Sequence, residues 1–219
     1  MKDSGLYIAD IKDPKLTARE EDFTTNLATK IPALGELVKE SERAYVAYLN
    51  KLRVDIFSLG VEIMQNNGKS FGTNPEDYKA LARYVNDITG RGELPGKLHG
   101  AGPALNTILF SPRLIISRLR LLTNWANPFW YFKTPMEVKK MYAKDMGLFI
   151  AFSSAVLLAF AASGADVEDD PRSSDLGKIR YGDTRWDIWG GFLQLVRTAI
   201  QAYTQQVKST ATGKIREIS

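Results

Sequence analysis

The chain has no cysteine among its 219 residues, which excludes disulfides, thiol chemistry and thiolate-bound zinc. Its single histidine, His99, excludes a metal site built on several histidines. Charge of one sign is not in large excess either. Twenty-nine Lys and Arg stand against 25 Asp and Glu, for a net charge of +4. Such a mildly basic chain permits an anionic partner without requiring one. The opening stretch MKDSGLYIADIKDPK carries acids and has no apolar core, so it does not read as a secretory signal.

Motifs for chemistry are missing too. The glycine-rich stretch from Gly90 to Gly102 lacks G-x-x-x-x-G-K-[ST], and no strand precedes it, so it is not a phosphate-binding loop. Ser173 and Ser174 have no G-x-S-x-G context. The acids Asp166, Glu168, Asp169, Asp170 and Asp175 do not follow the spacing of a calcium-binding helix–loop–helix. The sequence therefore predicts no catalytic residue, no metal, no cofactor and no enzyme.

What the chain does have is one long apolar run. Met146 to Ala165 reads MGLFIAFSSAVLLAFAASGA and carries no charge. As a helix it would measure ~30 Å, about the hydrocarbon thickness of a bilayer. Two readings fit. Its alanines and serines suit a central helix surrounded by neighbours, and they suit close helix contacts in lipid equally well. The flanks bear on the second reading. Lys139, Lys140 and Lys144 precede the run, and Asp166, Glu168, Asp169 and Asp170 follow it. A spanning helix with those flanks would keep its N-terminal side cytoplasmic. Upstream, Trp125, Phe129, Trp130, Tyr131 and Phe132 resemble an interfacial aromatic belt, or else an ordinary aromatic core. The candidate membrane contacts are Trp125, Phe129, Trp130, Phe149, Phe152, Leu157 and Phe160.

The remaining patterns predict a mainly α fold, a multi-helix bundle with one small β-hairpin near the C-terminus. Residues 1–16 read as an extended arm, with Leu6, Ile8 and Ile11 available to dock and Pro14 barring a helix. Thr17 and Glu20 form a capping box for a helix to about Lys30. Ala33 to Asn66 is strongly helical, and Asn67-Gly68 ends it. Asn74 and Pro75 open a helix to about Ile88. Pro103–Phe110 and Pro112–Leu122 read as helices, and Thr134-Pro135-Met136-Glu137 starts a long one that Gly164 caps. Gly182-Asp183 makes a hairpin of about residues 178–187. A last helix runs from about Trp189 to Val207. One helical domain over 17–207 and a frayed tail over 208–219 follow from this reading.

Within it, Tyr45, Leu49, Leu52, Ile56, Leu59 and Ile63 recur at spacings of four and three. That heptad-like stripe calls for another helix and marks an oligomer face. Arg113, Arg118 and Arg120 lie on a basic, amphipathic helix and are candidate phosphate contacts, to lipid or non-specifically to DNA. No base-reading motif accompanies them.

Several segments carry a resemblance. They are Glu42-Arg-Ala-Tyr-Val-Ala-Tyr-Leu-Asn-Lys-Leu-Arg53, Asn86-Asp-Ile-Thr-Gly-Arg-Gly92, Leu105-Asn-Thr-Ile-Leu-Phe-Ser-Pro-Arg113, Asp170-Pro-Arg-Ser-Ser-Asp-Leu-Gly-Lys-Ile179 and Asp183-Thr-Arg-Trp-Asp-Ile-Trp-Gly-Gly-Phe192. In their order over residues 40–213 they resemble a helical domain of the large polyvalent and internal virion proteins of tailed bacteriophages. The resemblance implies a non-enzymatic virion component, internal or near the portal and tail, that takes part in genome delivery. It implies other virion proteins and further copies of the chain as partners, and a location in the particle, then in the host envelope or cytoplasm. It carries over no catalytic residue. The alternative is a soluble assembly module whose apolar helix is core.

Overall fold

A computed structural model describes residues 1–9, 34–94, 96 and 111–218. The helix expected over Thr17–Lys30, most of the glycine-rich loop beyond Leu94, and the helix expected over Pro103–Phe110 lie outside the described residues. Among the described residues there are six α-helices: α1 Leu34–Asn66, α2 Pro75–Ile88, α3 Pro112–Thr123, α4 Pro128–Lys133, α5 Met136–Ala162 and α6 Phe192–Thr204. Five short strands follow α5: β1 Asp166–Val167, β2 Ile179–Tyr181, β3 Thr184–Trp186, β4 Gln206–Lys208 and β5 Ile215–Glu217. The class is mainly α with a small C-terminal hairpin, as the patterns predict. The chain divides into two compact units, Met1–Tyr142 and Ala143–Ser219, where the sequence suggests one helical domain. Helix α5 belongs to both.

In the first unit α2 is the centre, with Tyr78, Ala80, Leu81, Ala82, Tyr84 and Val85 all buried. Its start differs in detail from expectation. Asn74 does not cap with its side chain; its Oδ1 accepts from the Thr73 hydroxyl at 2.8 Å. Proline in the first turn and the acids Glu76 and Asp77 favour the helix there. Helix α3 is capped by Ser111, whose Oγ accepts from the Leu114 N–H at 3.4 Å.

Helix α1 packs on α2 through Arg53, Phe57, Gly60 and Met64, all buried and spaced by four, three and four. Gly60 makes the approach possible: a Cβ there would lie 2.5 Å from Leu81 Cδ1. Gly92 plays the same part against α3. Its N–H donates to Ser117 Oγ at 2.6 Å, and a Cβ would lie 2.7 Å from the Ser117 nitrogen. At the start of α5, Tyr142 is fully buried against Trp130 and Tyr84, with centroids 5.1 and 6.0 Å away. Its hydroxyl donates to the Leu121 carbonyl. Lys69 holds Asp77 and Glu137 together, each at 2.8 Å.

The described part of the N-terminal arm makes a 3-10 turn, Lys2–Ser4, and then continues along the first unit. Leu6 and Ala9 are buried. The arm's backbone bonds to two helix side chains. Asn86 accepts from the Tyr7 N–H and donates to the Gly5 carbonyl, both at 3.0 Å. Asn50 accepts from the Ala9 N–H at 3.0 Å and donates to the Ala9 carbonyl at 2.8 Å.

In the second unit β1, β2 and β3 form an antiparallel sheet in that order. The expected hairpin is β2–β3, with Tyr181 opposite Thr184 across Gly182. Strand β1 was not anticipated: Asp166 and Val167 pair with Arg180 and Ile179 instead of starting an acidic loop. The tail also departs from expectation. Helix α6 stops at Thr204, Gln205 turns with φ 53°, and β4 pairs with β5 from Gln206↔Glu217 to Lys208↔Ile215. Lys208 N–H donates to the Arg172 carbonyl at 2.9 Å, and its Nζ reaches Glu168 at 2.8 Å.

Candidate functional site

The uncharged run forms the C-terminal part of α5. Its helix closes at Ala162, with the Gly164 N–H on the Ala161 carbonyl and the Ala165 N–H on that of Phe160, both at 3.0 Å. Gly164 adopts φ 89°, the left-handed conformation that such a helix end uses. The helical part from Met146 onward is about 25 Å long, at the short end for a bilayer span.

This rod is apolar on every side rather than along one stripe. A helix of that kind needs apolar surroundings throughout. The described residues supply few. Only 6% of its most apolar 18-residue stretch is buried. Within the second unit one side is engaged: Phe149 packs on Trp189 and Phe192, with centroids 5.9 and 5.4 Å away, and Ser153 is buried. Elsewhere Phe152 and Leu158 are 72% and 70% exposed, with Leu148, Ile150 and Phe160 also exposed. Leu157 is half-buried. On α4, Phe129 and Phe132, three residues apart, are 72% and 89% exposed, while Trp130 turns inward to Tyr142. Asn127 caps this short helix, accepting from the Phe129 N–H at 3.1 Å. The side chain of Trp125 lies outside the description.

The three arginines of α3 do not make one basic patch. Arg113 and Arg120 are seven residues apart and share a side, whereas Arg118 stands about 140° away. The shared side is the packing side, which also carries the buried Ser117 and Leu121. Arg120 is committed there, to Asp87 Oδ1 at 3.5 Å and to the Glu93 carbonyl at 2.7 Å. Arg113 and Arg118 are half-buried.

The stripe on α1 stands about a quarter-turn from the face that packs on α2. Leu49, Leu52, Ile56 and Ile63 are half-buried there, and Tyr45 and Leu59 are exposed. The acids after α5 hold the second unit together. Glu168 pairs with Lys208 at 2.8 Å, and the Arg172 guanidinium at 2.9 Å keeps Asp170 down at about 2.

Sequence reading missed a polar region in the first unit. Arg53 is buried and bonds to Thr89 Oγ1 at 3.0 Å and Asn50 Oδ1 at 3.3 Å. Arg91 is buried as well, and that burial lowers its pKa to about 10. Both guanidinium groups lie over the Tyr7 ring, at 5.4 and 4.6 Å. Beside them opens a cleft of about 300 Å³, lined among others by Asp3, Lys79, Arg83, Asp87 and Arg120. The only available signal was a charged residue, Arg53, four positions before Phe57 on an otherwise apolar face.

Burial pushes the Asp87 carboxyl up to about 6, against the pull of Arg120. A raised carboxyl pKa means that the folded chain holds a proton the unfolded chain releases. Stability from this group is therefore full below about pH 4 and falls as pH rises to about 6, by roughly 3 kcal/mol. Asp87→Asn should remove that fall. The check is the urea midpoint of both proteins between pH 4 and 7. The wild type should lose ground relative to the variant across that range; a constant difference would contradict the burial argument.

Comparison with protein-family models, with curated proteins and with solved structures finds no match to this chain.

Proposed function

We propose that this chain acts by presenting α5 to a membrane, as a non-enzymatic component of tailed-phage particles that takes part in genome delivery. The membrane part is carried by one observation: a helix apolar on all sides, of which 6% of the most apolar stretch is buried among the described residues. Leaving such a surface in water costs about 25 cal/mol per Å², so lipid is the natural complement. Three neighbouring features suit the same role. Lys139, Lys140 and Lys144 at the N-terminal end match an anionic headgroup layer. Phe129 and Phe132 offer exposed rings for the interface. At the helix end the Ala159, Phe160 and Ala161 carbonyls all accept backbone hydrogen bonds, which lowers the cost of placing that end in an apolar layer. The phage part rests on the sequence resemblance alone, and detection of the chain by mass spectrometry inside purified particles tests it.

Flotation tests the membrane part. Purified protein mixed with anionic vesicles is expected to rise with them through a density gradient; protein that stays at the bottom refutes it. The packing of Phe149 on Trp189 and Phe192 favours a second reading, in which further protein completes the enclosure of α5. A defined oligomer that stays soluble without detergent, and that vesicles do not capture, would favour that version.

A further inference from the structure

The cleft in the first unit lies over three successive turns of α2. Lys79, Arg83 and Asp87 are four residues apart and line it at intervals of about 6 Å along the helix. The arm makes one wall through Asp3 and Gly5, and Asn86 fixes that wall by donating to the Gly5 carbonyl at 3.0 Å. Arg120 of α3 stands on another side. A volume of about 300 Å³ is at the small end for ligand pockets and suits a small polar molecule.

The charges of this cleft are not matched among the described residues. The Asp87 side chain is 9% exposed, yet its ion-pair contact is Arg120 at 3.5 Å, the outer limit of a hydrogen bond. The shorter bond of Arg120, at 2.7 Å, goes to the Glu93 carbonyl. No hydrogen bond to Asp87 Oδ2 occurs among the described residues, although a carboxylate so buried ordinarily accepts several. Arg83, one turn back, and Asp3 on the arm have no ion-pair partner among the described residues. Lys79 pairs with Glu76 at 2.8 Å, an exposed contact worth little. A plain anion drawn to Lys79 and Arg83 would meet the Asp87 carboxylate. A plain cation drawn to Asp87 would meet the two bases. A molecule with an ammonium group at one end and a carboxylate at the other satisfies both. Arg83 and Asp87 stand about 6 Å apart along the helix, and two residues of extended peptide span about 7 Å.

We infer that this cleft binds a small zwitterion, a free amino acid or a dipeptide, with its ammonium group on Asp87 and its carboxylate on Arg83 and Lys79. The inference is independent of the membrane reading, because it is tested without lipid. Full-length protein at neutral pH is titrated with glycylglycine to ~10 mM while its backbone amide NMR signals are followed, which detects a Kd of ~1 mM. The signals of Arg83 and Asp87 should shift and saturate. N-acetylglycylglycine lacks the ammonium group and glycylglycinamide lacks the carboxylate, so each should bind at least tenfold more weakly. Glycine carries both charges closer together. Glycine binding more tightly than glycylglycine assigns the cleft to an amino acid, and the reverse order assigns it to a dipeptide. Asp87→Asn and Arg83→Ala should each weaken the better ligand at least tenfold. Should Asp87→Asn fail to fold, Arg83→Ala, at an exposed position, carries the test. The inference is overturned if neither glycine nor glycylglycine shifts these signals, if a capped form binds as well as glycylglycine, or if Arg83→Ala binds as wild type does.

Discussion

Replacing Phe152 and Leu158 together by arginine is expected to lower vesicle partitioning by about four orders of magnitude. Each arginine near the middle of an apolar helix costs ~3 kcal/mol of insertion, and two together reach the ~5.5 kcal/mol that corresponds to that factor. The chain itself should barely register the change. Both positions are about 70% exposed, so no packed contact is removed and folding stability should stay within ~0.5 kcal/mol. The control is Tyr203→Arg, at a position 90% exposed on α6. It should float as wild type does. If the double variant floats equally well, the apolar surface of α5 is not what meets lipid.

The second large effect concerns the crossing of α1 and α2. Leu81 is fully buried, and its Cδ1 would lie 2.5 Å from a Cβ at position 60. Leu81→Ala should cost about 2–5 kcal/mol, because a buried isobutyl group is lost and a cavity remains. Gly60→Ala should cost about 1–3 kcal/mol from crowding, offset by nearly 1 kcal/mol of better helix propensity. Together they should cost less than the sum, by at least ~1 kcal/mol, since the new methyl enters the space the leucine leaves. Chemical denaturation of the four proteins measures the coupling. Strict additivity would show that the helices do not meet at this point.

Helices bounded by proline or capping residues were legible. Pro75 and Pro112 fixed two starts to the residue, and Gly164 marked where the apolar helix ends. The hairpin across Gly182 was legible for the same reason, since a left-handed turn leaves a local signature. Strand β1 and the β4–β5 pair were not. Each is two or three residues long and is held by partners distant in sequence, such as Arg180 for Asp166 and Arg172 for Lys208. No window of neighbouring residues encodes that. The face of α1 that packs on α2 was not legible, because it includes Arg53 and Gly60 and stands a quarter-turn from the more apolar stripe. An arginine reads as a surface residue until its partners, here Thr89 and Asn50, are known. The candidate lipid surface was readable as composition; its exposure among the described residues was not. That Arg120 of α3 faces Asp87 was likewise not readable, since the partner lies 33 residues away in sequence.

The late position of β5 sets an order of events during synthesis. The β4–β5 pair cannot close until Ile215–Glu217 is available to Gln206–Lys208, the strand whose Lys208 bonds the Arg172 carbonyl. Helix α5 is complete about 50 residues earlier, and at the usual ~5–20 residues per second the ribosome needs several seconds to make up that distance. For those seconds the nascent chain displays a finished apolar rod with no finished unit beside it. The order of synthesis therefore places the apolar rod of α5 ahead of the strand pair at the end of its unit.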